Sequence, residues 1–190
     1  MDSQKQITLT PNRTDYEARA ELTSNSRFIS PIIDTARNSV ITVENLINNT
    51  QDADNIVSGG DALARYITRR VTLKDGFDAT SLKVYLTANR PANSRIFVYY
   101  KVLSQFDDTL FDDRPWTLMN ESSNSNSVAA SVEESDYLEL EFLPAAGDTD
   151  YESDSVTYDS FKTFAVKIVM ISPTTTTVPL IKDLQAIALA

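Results

Sequence analysis

An all-β fold, an antiparallel β-sandwich of jelly-roll type with long acidic loops, is what this sequence predicts. Three observations point there. Apolar and polar residues alternate with period two through separate runs, about eight to ten of them. No stretch carries a long helical period, and no internal repeat is visible. Clusters of Asn, Asp, Gly, Pro and Ser separate the runs at irregular spacing, as turn formers do.

Composition bounds what such a fold does. The 190 residues suit one large β domain, or a compact domain with an N-terminal extension, and suffice to bury a real core. A formal charge of −10 and a pI near 4.4 argue against binding nucleic acid or an anionic membrane, because both require clustered Lys and Arg. The one dense basic pair is Arg69-Arg70, read as a strand-edge feature or an ion-pair partner rather than a phosphate site. Histidine is absent, which removes the side chain most used for acid–base chemistry near neutral pH, and cysteine is absent, which removes thiol nucleophiles, disulfides and thiolate metal sites. No run reaches the roughly 18–20 apolar residues of a membrane helix. The first twenty residues are polar and charged, unlike a secretory signal. No cofactor and no metal are expected.

Residues 1–26 read as an N-terminal arm with peripheral strands, and residues 27–190 as the sandwich. Within the arm, Thr14 and Glu17 have capping-box spacing. The unbroken alternation of Tyr16, Ala18, Ala20 and Leu22 with charged neighbours favours a strand over that helix. Residues 28–34, apolar but interrupted by Pro31, belong at a sheet edge or a bulge. Residues 40–44 predict a strand, residues 45–62 a long loop, and residues 64–73 another strand. Asp75-Gly76 marks a turn.

Residues 82–103 are the stretch around which the rest is arranged. Leu82, Val84 and Leu86 share one strand face, as do Ile96, Val98, Tyr100 and Val102, so both faces are predicted core. The segment between them, with Pro91, predicts a hairpin with a long loop. The opposite face carries Lys83, Tyr85, Thr87, Phe97, Tyr99 and Lys101, either a second packed layer or a contact surface. A loop at 107–115 and a short strand at 116–119 follow, then a Ser/Asn tip at 120–127. Residues 137–142 form a strand with Leu138, Leu140 and Phe142 inward. An acidic loop covers 147–154. The longest β-rich run is 161–171, with Phe164, Val166, Ile168 and Met170 on one face. Residues 180–190 predict a strand returning into the sheet.

The candidate sites are few. Asp107, Asp108, Asp112 and Asp113 in one loop, and Asp148, Asp150, Glu152 and Asp154 in another, offer oxygens for calcium without EF-hand spacing. Solvation is the default reading of acidic loops on an acidic chain. A carboxylate pair for glycoside hydrolysis is conceivable in any chain with 27 acidic residues and is not favoured. Trp116, beside Tyr85, Phe97 and Tyr99, would make a docking or sugar-stacking platform if exposed. A core tryptophan is the favoured alternative.

Several of these segments together resemble a known module. They are 64–67, 71–73, 75–79, 82–86, 98–103, Asp113-Arg114-Pro115-Trp116 and 161–168. The likeness, over roughly 27–190, is to modules of large virion structural proteins in the baseplate and tail-fibre region of T4-like contractile-tailed phages, especially those of cyanobacteria. It implies a non-enzymatic module that assembles with other tail and baseplate proteins as a homo- or hetero-oligomer in the phage tail. In that family the module looks like a C-terminal portion of a longer polypeptide, so a fragment is one reading of this chain. It carries no active-site residues. Recognition of host surface glycan by a carbohydrate-binding sandwich is the alternative.

Overall fold

The computed structural model describes residues 19, 21–34, 45–122 and 137–190. Among them lie ten strands: β1 (Ala64–Ile67), β2 (Val71–Thr72), β3 (Ser81–Asn89), β4 (Arg95–Leu103), β5 (Thr117–Glu121), β6 (Leu138–Pro144), β7 (Tyr151–Ser153), β8 (Val156–Tyr158), β9 (Thr163–Ile171) and β10 (Leu180–Leu189). The one helical element among these residues is a 3-10 turn at Phe111–Asp113. The strands expected at 1–12 and 40–44, most of the strand expected at 14–22 and most of the 120–127 tip lie outside the described residues.

Every strand pair is antiparallel. Eight strands form one curled sheet in the order β1-β9-β4-β5-β6-β3-β10, with β2 also on β9. The sheet folds over at β5. Thr117 and Leu118 pair with Tyr100 and Tyr99 of β4, whereas Met119, Asn120 and Glu121 pair with Pro144, Leu143 and Phe142 of β6. One layer is therefore β1/β2-β9-β4 and the other β6-β3-β10, with β5 shared between them. The pairings β3 with β10 and β4 with β9 nest one inside the other, as the winding of a jelly roll requires.

The expected hairpin of β3 and β4 does not form. β3 pairs with β6 and β10, and β4 pairs with β5 and β9, so residues 90–94 carry the chain from one layer to the other. The core faces are nonetheless those expected: Leu82, Val84 and Leu86 join Ile96, Val98, Tyr100 and Val102 in one buried cluster with Met119, Leu140, Phe142, Phe164, Val166 and Ile168. Alternation reports which face is buried and is silent about which strand lies alongside. The crossing is fixed by a turn in which the Ser94 amide and hydroxyl both donate to the Pro91 carbonyl, with Asn93 at φ 66°. The Arg90–Glu121 ion pair, at 2.7 Å, ties this crossing to β5.

The run at 64–73 breaks into two strands because Thr68 leaves the ladder. Its amide donates to the Val166 carbonyl at 2.9 Å while its hydroxyl accepts from the Val166 amide at 2.9 Å. Asp75-Gly76 makes the expected turn, with Gly76 at φ 82° and Phe77 N–H donating to Lys74 O at 3.0 Å. Inside the second acidic loop stands a short hairpin that alternation did not announce, β7 and β8 joined at Asp154 and Ser155, both at positive φ. Residues 28–34 form no strand, and Phe28 is 96% exposed; Pro31 supplies no amide for a ladder. β10 forms as expected, but beside β3 at the end of the strand order rather than inside the sheet. No helix among the described residues is long and apolar enough to cross a membrane.

Candidate functional site

The outward side chains of β4 and β9 fall on one surface by register: Tyr99 opposite Lys167, and Lys101 opposite Ala165. That surface is sealed. Residues 45–63 lie across it, held by Tyr99 OH donating to Gln51 Oε1 (3.0 Å), Trp116 N–H donating to Asn55 O (2.8 Å) and Ser172 N–H donating to Asn48 O (3.0 Å). Asn48 in turn braces the loop end, donating to Asp61 O and accepting from Leu63 N–H. A second apolar cluster results, built from Ala62, Tyr99, Phe111, Trp116, Ala165, Val169 and Ile171.

Two lysines are enclosed in it. The Lys167 side chain is 1% exposed; its ammonium donates to the Asp54 carbonyl and stands 3.5 Å from Asp54 Oδ1. It lies 4.7 Å from the Tyr99 ring centroid and 5.1 Å from that of Trp116. The Lys101 ammonium lies 4.8 Å from Trp116 and donates to the Asp112 carbonyl at 3.2 Å. Trp116 is thus within reach of two cations, and its π-face replaces part of the water each has lost. Burial pushes both lysines below the usual lysine range, against the opposing pull of Asp54 on Lys167 and of Asp112 and Asp113 on Lys101. Tyr99 is pushed up, first by burial and then by Asp54.

Asp54 is itself buried, accepting from Ala62 N–H at 3.2 Å, with Arg65 3.8 Å away at the rim. Gly60 makes room for it: a Cβ there would meet Asp54 Cγ at 2.4 Å, at a φ of 150°. Sequence reasoning missed Asp54 and Lys167. Their one signal was a lone cation at the centre of the apolar run 163–171. Chemically this layer is a clamp, holding a loop on a sheet.

Of the four expected binding residues, two are withdrawn from solvent: Trp116 is 7% exposed and Tyr99 4%. Phe97 is half-buried and packs against the same cluster. Tyr85 stands apart on the other layer, where its hydroxyl donates to Glu141 Oε1 at 2.9 Å, with Lys83 3.8 Å from the same oxygen. The platform of Trp116 with Tyr85 and Tyr99 is therefore not assembled. β3 and β4 carry their outward faces to opposite sides of the sandwich, and the Trp116 ring lies under the loop.

Of the acidic residues in the two loops, Asp107 is buried and engaged in the fold, whereas Asp108, Asp112, Asp113, Asp148, Asp150, Glu152 and Asp154 are exposed. Asp107 Oδ2 accepts from Tyr151 OH (3.0 Å) and Oδ1 from Thr109 N–H (2.9 Å); Tyr151 OH also accepts from Ser104 N–H at 2.7 Å. Arg114 stacks 4.0 Å over the Tyr151 ring, and Tyr158 stacks on it at 5.2 Å. Burial pushes Asp107 up, but the hydrogen bonds from Thr109 and Tyr151, with Arg114, hold it below its usual range. Tyr151 is raised to about 12, mainly by burial. No group of three or more acidic side chains among the described residues converges as a metal site. A cleft of about 400 Å³ opens where β5 leaves β4 and is lined by Arg90, Arg95, Phe97, Leu118, Asn120 and Glu121 among others.

The margin opposite β5 is open. Tyr66 and Val71 face the core by register, across from Ile168 and Phe164, yet are 54% and 42% exposed. On the other layer Leu184, Ala186 and Ala188 of β10 lie opposite the fully buried Leu86, Val84 and Leu82, and remain half-buried or exposed. Compared with family models, with curated proteins and with solved structures, the chain matches none.

Proposed function

We propose that this chain is a structural module of a contractile phage tail, in the baseplate or tail-fibre region, that works by binding neighbouring virion proteins. One observation carries the reading within the structure. The sandwich is sealed on the outer face of β4 and β9 and closed at β5, but along β10 it presents a ten-residue strand with no partner strand among the described residues beyond β3. An edge strand of that length is a template for another chain's backbone. Tyr99 and Trp116, the aromatics best suited to hold a ligand, are engaged in holding a loop. The phage context itself comes from the resemblance in the sequence. The reading assigns the chain no reaction.

A density map of the intact tail tests it. The expected result is this sandwich in the particle with its strand edges against neighbouring subunits. Absence of the chain from purified particles, or turnover of a glycan by the purified protein, would overturn the reading.

A further inference from the structure

Among the described residues, the two outermost strands of the sandwich are finished differently. The first layer ends in β1 and β2, four and two residues long and interrupted at 68–70, with Arg65 in β1 and Arg69 and Arg70 between the two. Short, broken and charged edges are how β-proteins discourage pairing with other chains. The second layer ends in β10. A bulge between Ile181 and Asp183 disturbs its beginning, and Lys182 and Asp183 are its charged residues. From 184 to 189 it has no charge, no proline and no irregularity of register against β3. Both faces of this run are partly open: Leu184, Ala186 and Ala188 toward the core, Gln185, Ile187 and Leu189 outward.

We propose that β10 is the dimerisation edge of the module: β10 of a second copy lies antiparallel along it, joining the two outer layers into one continuous sheet. This rests on the reading that the chain works by assembly and names the occupant of one edge. Two-fold symmetry and the uncharged run 184–189 together select the register. A two-fold axis perpendicular to a sheet brings together residues of the same face, so an axis through Ala186 sets Ala186 against its own copy, Leu184 against Ala188, and Gln185 against Ile187. Every one of these pairs is uncharged. The core-facing pairs are all apolar, and an alanine lies on the axis.

Electrostatics also permit self-association here, although each copy carries −10. In this register Asp183 faces Leu189, so the two Asp183 carboxylates stand at opposite ends of the paired run, about 20 Å apart at the rise of a strand. That exceeds the screening length of about 8 Å at physiological salt.

The chain has no cysteine, so a single one reports the axis directly. Ala186 is exposed, and an Ala186→Cys chain is expected to oxidise to a covalent dimer many-fold faster than Ala145→Cys, an exposed turn control. Opposed residues of an antiparallel pair bring their Cβ atoms within about 5.5 Å, close to disulfide reach. In sedimentation equilibrium the unmodified chain should dimerise, while Ala186→Lys and Ala186→Glu should each be monomeric and their equimolar mixture dimeric. A monomeric unmodified chain at about 100 μM, where a micromolar Kd would populate the dimer, overturns the proposal. So does a dimer indifferent to Ala186→Lys, or equal oxidation of the two cysteine variants. A monomer that still enters tail particles removes the dimer and leaves the assembly reading; a chain absent from particles removes the assembly reading whatever its oligomeric state.

Discussion

Lys83 and Lys101 stand on successive strands, each two residues from a tyrosine on the same outward face, and the structure treats them oppositely. Lys83 and Tyr85 meet Glu141 at a wet surface. Lys101 and Tyr99 are roofed by residues 45–63 and 104–116 and packed against Trp116. The strands themselves do not differ in a way that decides this. What differs is where the intervening chain goes. The long segments before β1 and after β4 return across one layer, whereas β3 has β6 and β10 as neighbours, with carboxylates at Glu139, Glu141 and Asp183. Charge inside a sandwich is tolerated where a loop brings its counter-charge, its hydrogen bonds and an aromatic face together.

Removing the counter-charge should separate the two faces most. Asp54→Ala leaves the Lys167 ammonium enclosed and unpaired, and should cost about 3–5 kcal/mol in urea unfolding. Adding Lys167→Met should recover much of that loss, because a matched apolar pair no longer needs the ion. If the single and double variants are equally unstable, the lysine is not what Asp54 serves.

Gly60→Ala attacks the same clamp through the backbone. It forces a side chain to within 2.4 Å of Asp54 at a φ that suits glycine, and should destabilise by about 1–3 kcal/mol. Protease should then cut the 45–63 loop sooner than the strands.

Alkaline titration sharpens the contrast further. Lys101 and Lys167 lie below the unfolded value of 10.5, so between their folded values and 10.5 the unfolded chain binds the extra protons and stability rises with pH. Tyr99, Tyr100 and Tyr151 lie above 10.0, so from that point the folded state retains protons the unfolded chain has shed, and stability falls toward about 12. Denaturation midpoints across this range should rise and then fall. Lys167→Met should reduce the rise, and Tyr151→Phe should reduce the fall.

The smallest effects belong to the wet face. Lys83→Ala should change stability by no more than about 0.5 kcal/mol, as exposed ion pairs do, and Tyr85→Phe should shift the urea midpoint far less than Asp54→Ala. Losses there as large as those at Asp54 would mean that this face, too, is covered.

What could be read in advance follows from these physical scales. The alternation in β3, β4, β6 and β9 identified Leu82, Val98, Leu140, Phe142 and Ile168 as core, because a buried face imposes its period on the residues themselves. That β3 and β4 part is not legible, because nearness in sequence suggests a hairpin where five residues make a crossing between layers. The β7–β8 hairpin was hidden by its brevity: three residues a side show too little alternation to stand out from an acidic loop. Trp116 was legible as core. Its pairing with two lysines was not, because Asp54 reaches Lys167 across 113 residues of chain and only the folded loop brings them together.

β5 is five residues long and hydrogen-bonds to both halves of the sandwich, two residues to one and three to the other. Tension applied to either half therefore passes to the other along a covalent backbone as well as through side-chain contact. Sliding one layer over the other would shear those ladders together rather than peel them singly, so at this seam the module resists load as one plate.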